Sequence, residues 1–260
     1  MFKHYKYVIV VSLSILAVAL VFVFFMQFIS INHAIDVFNR HYIEEAKKVK
    51  DSEWIATSDS EIASIQLRKA YYTSHLETVK QDSIALLLDF PDSSATLLIK
   101  GVAVHRAKMS DYTISNFFDA VNPVALYQML SAPLKVTRHK STIRKVPLMI
   151  KIAPKDTSEY TPDIIPDTSD VDLVNFILET NSGLQLYFYE SNPKESADEI
   201  KQLYFELKDR VRKTCNTFTR AFAFKKPDYK PYIRIKMAKK DAKIIYRAIP
   251  ENALIVVKFK

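Results

Sequence analysis

Cys215 is the only thiol in the chain, and a cysteine is the side chain best suited to nucleophilic catalysis at neutral pH. Such a nucleophile needs a histidine within hydrogen-bond reach and usually a lowered pKa. Cys215 instead lies four residues after Val211 and continues the apolar stripe of a predicted helix, which is typical of a buried core residue. We therefore predict a structural role for Cys215 and keep catalysis by this thiol as an alternative.

Two carboxylates one residue apart, Asp170 and Asp172, form a second pattern with chemical potential. Such a pair can hold a divalent ion against the diphosphate of a sugar nucleotide. The surrounding segment is acidic and proline-rich, so carboxylates occur there by composition alone. An enzyme that uses Asp170 and Asp172 is therefore an alternative rather than the main hypothesis.

The six histidines give no metal-binding pattern, because no two lie three or four residues apart with a carboxylate in zinc-ligand spacing. The chain also has only two glycines, Gly101 and Gly183. Phosphate-binding loops, dinucleotide fingerprints and nucleophile elbows all need glycine for close backbone approach or positive φ. We therefore predict no metal and no cofactor.

The elements that would position any site begin with a membrane anchor. Residues 7–31 contain no charged side chain, and a helix of this length covers a hydrocarbon core of roughly 30 Å. The bulky residues at its end argue against a cleaved signal peptide, so we expect the span to be retained. Lys3 and Lys6 favour a cytoplasmic N-terminus over residues 1–6, which leaves residues 32–260 facing outward.

The net charge of +8 is concentrated near the C-terminus, where residues 194–260 carry 18 Lys and Arg against 8 Asp and Glu. A basic surface of this kind suits an anionic partner. The outward topology disfavours nucleic acid. The simpler interpretation is that these cations are solvated faces of strands and helices.

The outward part is predicted to be an α+β protein with a helical stalk over residues 32–81 and a β-rich domain over 82–260. The helix that follows the capping box Ser58 to Glu61 has apolar residues at three- and four-residue spacing, which predicts packing on the domain. A second capping box, Ser196 to Glu199, opens another helix with an apolar stripe. The positions in these two stripes are Ile62, Ile65, Lys69, Tyr72, Leu76 and Val79, the first stripe being mostly apolar, and then Ile200, Leu203, Leu207, Val211 and Cys215.

Strand patterns fill most of the remaining chain. A meander is predicted over residues 84–109, two short helices broken at Asn122-Pro123 over 111–131, and a hairpin around Asn181-Ser182-Gly183. Further strands are predicted at 134–137, 144–152, 232–237 and 253–259, with a helical turn over 239–247. Residues 154–170 are predicted to be a long loop.

The closing section resembles the L,D-transpeptidase (YkuD-like) family. The segments that carry this resemblance are Tyr232 to Met237, Asp241, Ile244 to Tyr246, Ile249 to Ala253 and Leu254 to Val257. The opening meander around Gly101 is similar to the first strands of that family, so the resemblance covers about residues 82–260. It implies a β-rich catalytic domain in the periplasm of a bacterium, anchored in the inner membrane.

The chain departs from the family at its catalytic positions. The family has a Ser-x-Gly-Cys-Ile/Val-Arg motif, whereas this chain has Tyr232 at the cysteine position, preceded by Pro231, and retains only Arg234. Tyr189 stands nearest to the position of the family's histidine. A tyrosine with a pKa near 10 cannot replace a thiolate as acyl acceptor at neutral pH. The resemblance therefore implies an inactive domain in which Tyr189, Tyr232 and Arg234 line a remnant cleft.

Two non-catalytic functions follow from these patterns. The first is a membrane-anchored pseudoenzyme that binds peptidoglycan or another envelope partner, with Arg234 available to pair with a carboxylate of a peptide stem. The second is a structural component that docks onto envelope proteins through its stalk and its basic C-terminal region, including Lys239, Lys240 and Lys243.

Overall fold

The computed structural model describes residues 2–48, 60–145, 173–191, 200–209, 211, 219–220 and 229–259. It is a mixed α/β structure in which one long apolar helix leads into a β-rich domain. The predicted α+β class is confirmed at this level.

The first helix, α1, runs from Phe2 to Lys48 without interruption. One stretch of it, Val10–Glu45, is long and apolar enough to cross a membrane, and its most apolar part is covered by no other part of the described chain. Large apolar side chains such as Leu13, Phe24 and Phe28 are exposed all around this part. A helix that is apolar on every side and uncovered by protein is typical of a lipid-facing span.

Eight strands form a closed barrel. In chain order they are β1 (Ile84–Asp89), β2 (Ser94–Ile99), β3 (Val102–Ile114), β4 (Leu134–Ser141), β5 (Phe176–Thr180), β6 (Gln185–Glu190), β7 (Tyr232–Met237) and β8 (Leu254–Lys258). Around the barrel the order is β1-β2-β3-β7-β6-β5-β4-β8. Two strand pairs are parallel, β1 with β8 and β6 with β7, and the other pairs are antiparallel.

The meander, the hairpin and the last two strands agree with the sequence prediction, and the main differences concern β3 and β4. The bulge between Met109 and Asp111 lets β3 continue to Ile114, so its first half pairs with β2 and its second half with β7. Strand β4 likewise extends to Ser141 and pairs with both β8 and β5. Of the strand predicted at 144–152, Arg144 and Lys145 are irregular and the rest lies outside the described residues.

The barrel interior is filled by alternate side chains from every strand. Phe176 and Phe188 face each other across β5 and β6 with ring centroids 4.4 Å apart. The other inward residues are aliphatic or Met: Leu86, Leu88, Ala95, Leu97, Ala107, Met109, Leu134, Val136, Leu178, Leu186, Ile233, Ile235, Met237, Ile255 and Val257. The interior is therefore a packed core, as expected for a barrel of eight strands.

Short helices pack against this core. Helix α3 (Phe117–Ala120) and helix α4 (Pro123–Leu130) follow β3 and meet at Asn122-Pro123, as predicted. The Asn122 side chain accepts a hydrogen bond from the backbone N–H of Val124 and so caps α4. The last helix, α6 (Lys239–Ala248), connects β7 to β8 and buries Ala242, Ile245 and Tyr246.

The part of α1 beyond the apolar span packs directly on the domain. Phe38 is buried, and its ring lies 5.3 Å from that of Phe117 in an edge-to-face contact. The side-chain oxygen of Asn39 accepts a hydrogen bond from the backbone N–H of Asn122. Residues 32–48 are therefore helical, as predicted for a stalk, but they form part of the folded domain.

Helix α2 (Ser60–Val79) also packs on the domain, against α4 and β8, but with an unexpected face. Its buried positions are the small residues Ala70, Ser74 and Thr78. The predicted stripe of larger apolar residues points away from the barrel, and Leu76 is 62% exposed. The expectation that this stripe packs on the domain is wrong because the small residues allow a closer approach to the barrel.

Gly101 fixes the end of α2 to the turn between β2 and β3. It has φ +79°, and a Cβ at this position would lie 2.6 Å from Cγ2 of Val79. Gly183, in the β5–β6 turn, has a similar φ of +81° but open space around it. Both positions favour glycine because φ is positive. At Gly101 a side chain is also excluded, because its Cβ would collide with Val79.

We expect Gly183→Ala to lower the free energy of unfolding by about 1 kcal/mol, from positive φ alone. Gly101→Ala should cost clearly more, because Val79 must also move. Urea unfolding of the detergent-solubilised chain, followed by circular dichroism, measures both. Val79→Ala in the Gly101→Ala background should bring the cost near that of Gly183→Ala, and equal costs for the two single variants would contradict the close contact with α2.

Candidate functional site

The residues singled out by sequence lie together on the outer face of the barrel, where β6 and β7 run parallel. Tyr189 projects from β6, and Tyr232 and Arg234 project from β7. Because side chains alternate along a strand, these positions face outward while Phe188, Ile233 and Ile235 face the core. The structure thus brings Tyr189, Tyr232 and Arg234 onto one surface.

Tyr187, which the sequence analysis missed, stands between them. It pairs in register with Arg234, its ring is nearly parallel to that of Tyr189 at 6.1 Å, and it meets Tyr232 edge-on at 6.3 Å. The guanidinium carbon of Arg234 lies 4.8 Å from the centroid of the Tyr232 ring. This is a cation–π contact, so the three tyrosines and the arginine form one continuous cluster.

A helix covers this cluster. Residues 200–209 form helix α5, and its Phe205 packs against the apolar group that contains Tyr187 and Tyr189. Glu206 pairs with Arg234 at 3.2 Å between Oε1 and Nη2. Asp209 accepts a hydrogen bond of 2.7 Å from the hydroxyl of Tyr187. Only 3% of the surface of Tyr189 is exposed, so the cluster is a packed interface between sheet and helix.

The carboxylate of Asp209 is itself buried and has a second neighbour, Nζ of Lys140, at 3.6 Å. Burial raises the pKa of Tyr187 well above its ordinary value, and the hydrogen bond to Asp209 and the negative charge there raise it further. Tyr187 therefore keeps its proton at neutral pH and donates a hydrogen bond to the carboxylate of Asp209. It cannot serve there as a base or as an anionic nucleophile.

The chemistry of the cluster is that of a clamp. The pair between Arg234 and Glu206 and the bond between Tyr187 and Asp209 join β6 and β7 to two successive turns of α5. Tyr187 and Asp209 are buried, whereas Arg234 and Glu206 are partly exposed. Polar groups that satisfy one another in this way hold elements in one geometry. A residue spacing of three, as between Glu206 and Asp209, puts both carboxylates on the sheet-facing side of α5.

Two signals in the sequence point to the missed residues. The order Gln185-Leu186-Tyr187-Phe188-Tyr189 alternates polar and apolar side chains, which places Tyr187 and Tyr189 on one face of a strand. Glu206 and Asp209 lie on the side of their helix opposite to the apolar stripe. The apolar stripe points away from the sheet, because Leu203, Leu207 and Val211 are exposed.

The remaining sequence candidates are not part of this cluster. Cys215, Asp170 and Asp172 lie outside the described residues. Within the described ranges, no group of three or more His, Cys, Asp or Glu side chains could hold a metal ion. The lysines of α6 that were singled out by sequence, Lys239, Lys240 and Lys243, lie on another part of the barrel. Oδ1 of Asp241, at the start of this helix, lies 3.3 Å from Nε2 of His105.

A separate cavity of about 360 Å³ lies between α1 and the barrel, next to the end of the apolar span. Phe117 and Tyr229 stack at 5.8 Å on its wall. Lys230, also on its wall, pairs with Glu179. The other residues that line it are His33, Ala34, Val37, Phe38, His41 and Tyr42 of α1, together with Ser182, Gly183, Arg220 and Pro231.

No family model, curated protein or solved structure matches this chain. The interpretation of the site therefore depends on its own geometry.

We predict that the buried phenol of Tyr187 makes the protein less stable in alkali. An unfolded chain loses this proton near pH 10, whereas the folded chain keeps it, so the free energy of unfolding falls as the pH rises above about 10. For one such group the slope approaches about 1.4 kcal/mol per pH unit. Tyr187→Phe should reduce the slope by up to that amount in urea unfolding between pH 8 and 11.

Tyr204→Phe is the matched control, because it removes an exposed phenol from the covering helix. It should leave the alkaline slope unchanged. If Tyr187→Phe also left the slope unchanged, Tyr187 would not hold its proton in the folded state.

Proposed function

We propose that this protein is a catalytically inactive, L,D-transpeptidase-like module of the bacterial cell envelope, anchored in the inner membrane, that acts by binding a partner. The main support for this proposal is the way in which the side chains of the candidate cluster are packed and paired. Tyr189, Tyr232 and Arg234 are packed between the sheet and α5 and are engaged with one another or with α5. Residues that hold a helix in place serve binding and architecture better than turnover.

The chemistry of the cluster supports inactivity. Acyl transfer needs a nucleophile that ionises near neutral pH and a base beside it. The family's thiolate position is occupied by Tyr232, and the neighbouring phenol of Tyr187 has a raised pKa. The guanidinium of Arg234, which could otherwise bind a carboxylate of a peptide stem, is paired with Glu206 of the same chain.

The apolar helix supports the anchoring. Its uncovered residues match the thickness of a bilayer, and Lys3 and Lys6 favour a cytoplasmic start with the barrel in the periplasm. The domain packs on α1 from Ala34 onward, only about 5 Å of helix rise beyond Ile31. The barrel would then sit against the membrane surface, which favours partners that are themselves in or near the membrane.

An exposed apolar face on α5 favours a protein partner. Ile200, Leu203, Tyr204, Leu207 and Val211 are each at least half exposed and lie on the side of the helix opposite to the clamp. A contiguous apolar surface of this kind on a folded domain is typical of an interaction site. Docking of an envelope protein on this face is therefore our first choice, and binding of peptidoglycan is the second.

We expect in-cell crosslinking of the full chain, followed by affinity purification, to yield a discrete complex with an envelope protein. The double variant Leu203→Gln, Leu207→Gln should reduce the yield of this complex about tenfold or more, because two leucines that the partner would bury are replaced by polar side chains. Lys208→Gln places the same side chain at an exposed neighbouring position and should have no effect.

Peptidoglycan binding is separated from protein docking by sedimentation with purified sacculi. At about 1 M salt the Debye length falls to about 3 Å, so non-specific attraction between the basic chain and the wall is suppressed. Sedimentation that persists there and falls with Arg234→Ala would favour wall binding. Exchange of D-amino acids into wall peptides by the purified chain would refute the inactive assignment.

A further inference from the structure

Helix α2 carries a second face that is mostly exposed, although Val79 at its end contacts Gly101 of the same domain. Ile65, Tyr72, Leu76 and Val79 are exposed, and Ile62 is half-buried. The same helix meets the barrel through Ala70, Ser74 and Thr78 on its opposite side. Helix α2 is thus a two-sided element with one side occupied.

The spacing on the outer side is that of a coiled coil. Residues 62, 65, 69, 72, 76 and 79 alternate in steps of three and four, which are the a and d positions of a heptad repeat. Five of the six are apolar or aromatic, and the sixth is Lys69. A stripe restricted to these positions is the narrow seam through which one helix packs against another, whereas packing on a domain needs a wider face.

The seam is complementary to itself when two copies run in opposite directions. In an antiparallel pair, each a position faces a d position of the partner. Aligning Ile62 with Val79 then also aligns Ile65 with Leu76 and Lys69 with Tyr72, so all six positions are matched. Each Lys69 ammonium would meet the face of a Tyr72 ring, a favourable contact between cation and aromatic ring.

A parallel pair has no such match, because it places Lys69 against Lys69 in the middle of the seam and two like charges would face each other. At one end of the seam, Val79 contacts Gly101 of the β2–β3 turn.

We propose that two copies of this chain associate through the α2 seam in an antiparallel, two-fold arrangement. A seam of six positions is short for stable pairing of free helices. Anchoring in one membrane, which rests on the proposed function, raises the effective concentration of the two copies and offsets this weakness. The pairing itself depends only on the exposed side chains of α2.

Disulfide crosslinking tests the proposal in membranes that contain the full chain with Cys215→Ala. When chains carrying Ile65→Cys and Leu76→Cys are expressed together with different tags, oxidation should join them to each other. Ile65→Cys alone should not crosslink, because two copies of residue 65 would be about 16 Å apart along the pair, beyond the 4.4–6.8 Å between Cα atoms of a disulfide.

The controls address specificity and anchoring. Leu207→Cys on α5 is similarly exposed and should not join to Ile65→Cys. Tyr72→Glu in both chains should reduce the crosslink between residues 65 and 76 about tenfold or more. Fractionation of the same cells reports whether the chain is membrane-bound, so a failure of anchoring is distinguished from a failure of pairing.

Crosslinking of Ile65→Cys to itself would refute the antiparallel register. The absence of any crosslink through α2 in membrane-bound chain would refute the dimer.

Discussion

The pairing of β8 with both β1 and β4 is the interaction on which the rest of the structure depends. Strand β8 pairs with β1 in parallel over five residue pairs, and it pairs with the first residues of β4 in antiparallel orientation. Ile255 and Val257 enter the core, while Leu254 packs with Ala85 and Leu98 on the outside. The ion pair between Lys258 and Asp89 lies at the end of the same pair of strands. Without β8, the other seven strands would form an open sheet with β1 and β4 as its edges.

Closure of the barrel also restricts where a ligand could bind. Aliphatic and aromatic side chains from every strand fill the interior, so a ligand would have to displace the core to enter it. The outer surface between β5 and β7 differs, because its aromatic rings carry hydroxyl groups and are interleaved with charged side chains. This surface binds a helix of the same chain, and the apolar faces left over belong to helices α2 and α5.

Local patterns in the sequence predict most of the elements. Alternation located the strands of the meander and the β5–β6 hairpin, and Asn122-Pro123 located the break between α3 and α4. Barrel closure was not predictable, because it joins residues 169 apart, such as Asp89 and Lys258, and no local period encodes that pairing. The extension of β3 depends on a bulge after Met109, which has no clear sequence signal.

The candidate cluster was predicted in part for a similar reason. The sequence placed Tyr189, Tyr232 and Arg234 in strands, but the parallel register of β6 and β7 is what puts Tyr187 among them. The way in which α2 and α5 face the barrel could not be predicted, because a periodic apolar stripe shows only that a helix has two different faces. It does not show which face meets its own domain, and here small residues on α2 and acidic residues on α5 take that role.

A closed barrel also limits the ways in which this protein can be recognised. Each strand has a hydrogen-bonded neighbour on both sides over part of its length. Short segments are open on one side, such as the first half of β3, which pairs with β2 alone, so the barrel offers little free edge to which a peptide could add as a further strand. Most of its backbone is thereby protected from edge-to-edge aggregation. The exposed apolar side chains of α2 and α5 lie outside the sheet, so substitutions there can change the protein surface without disturbing the strands.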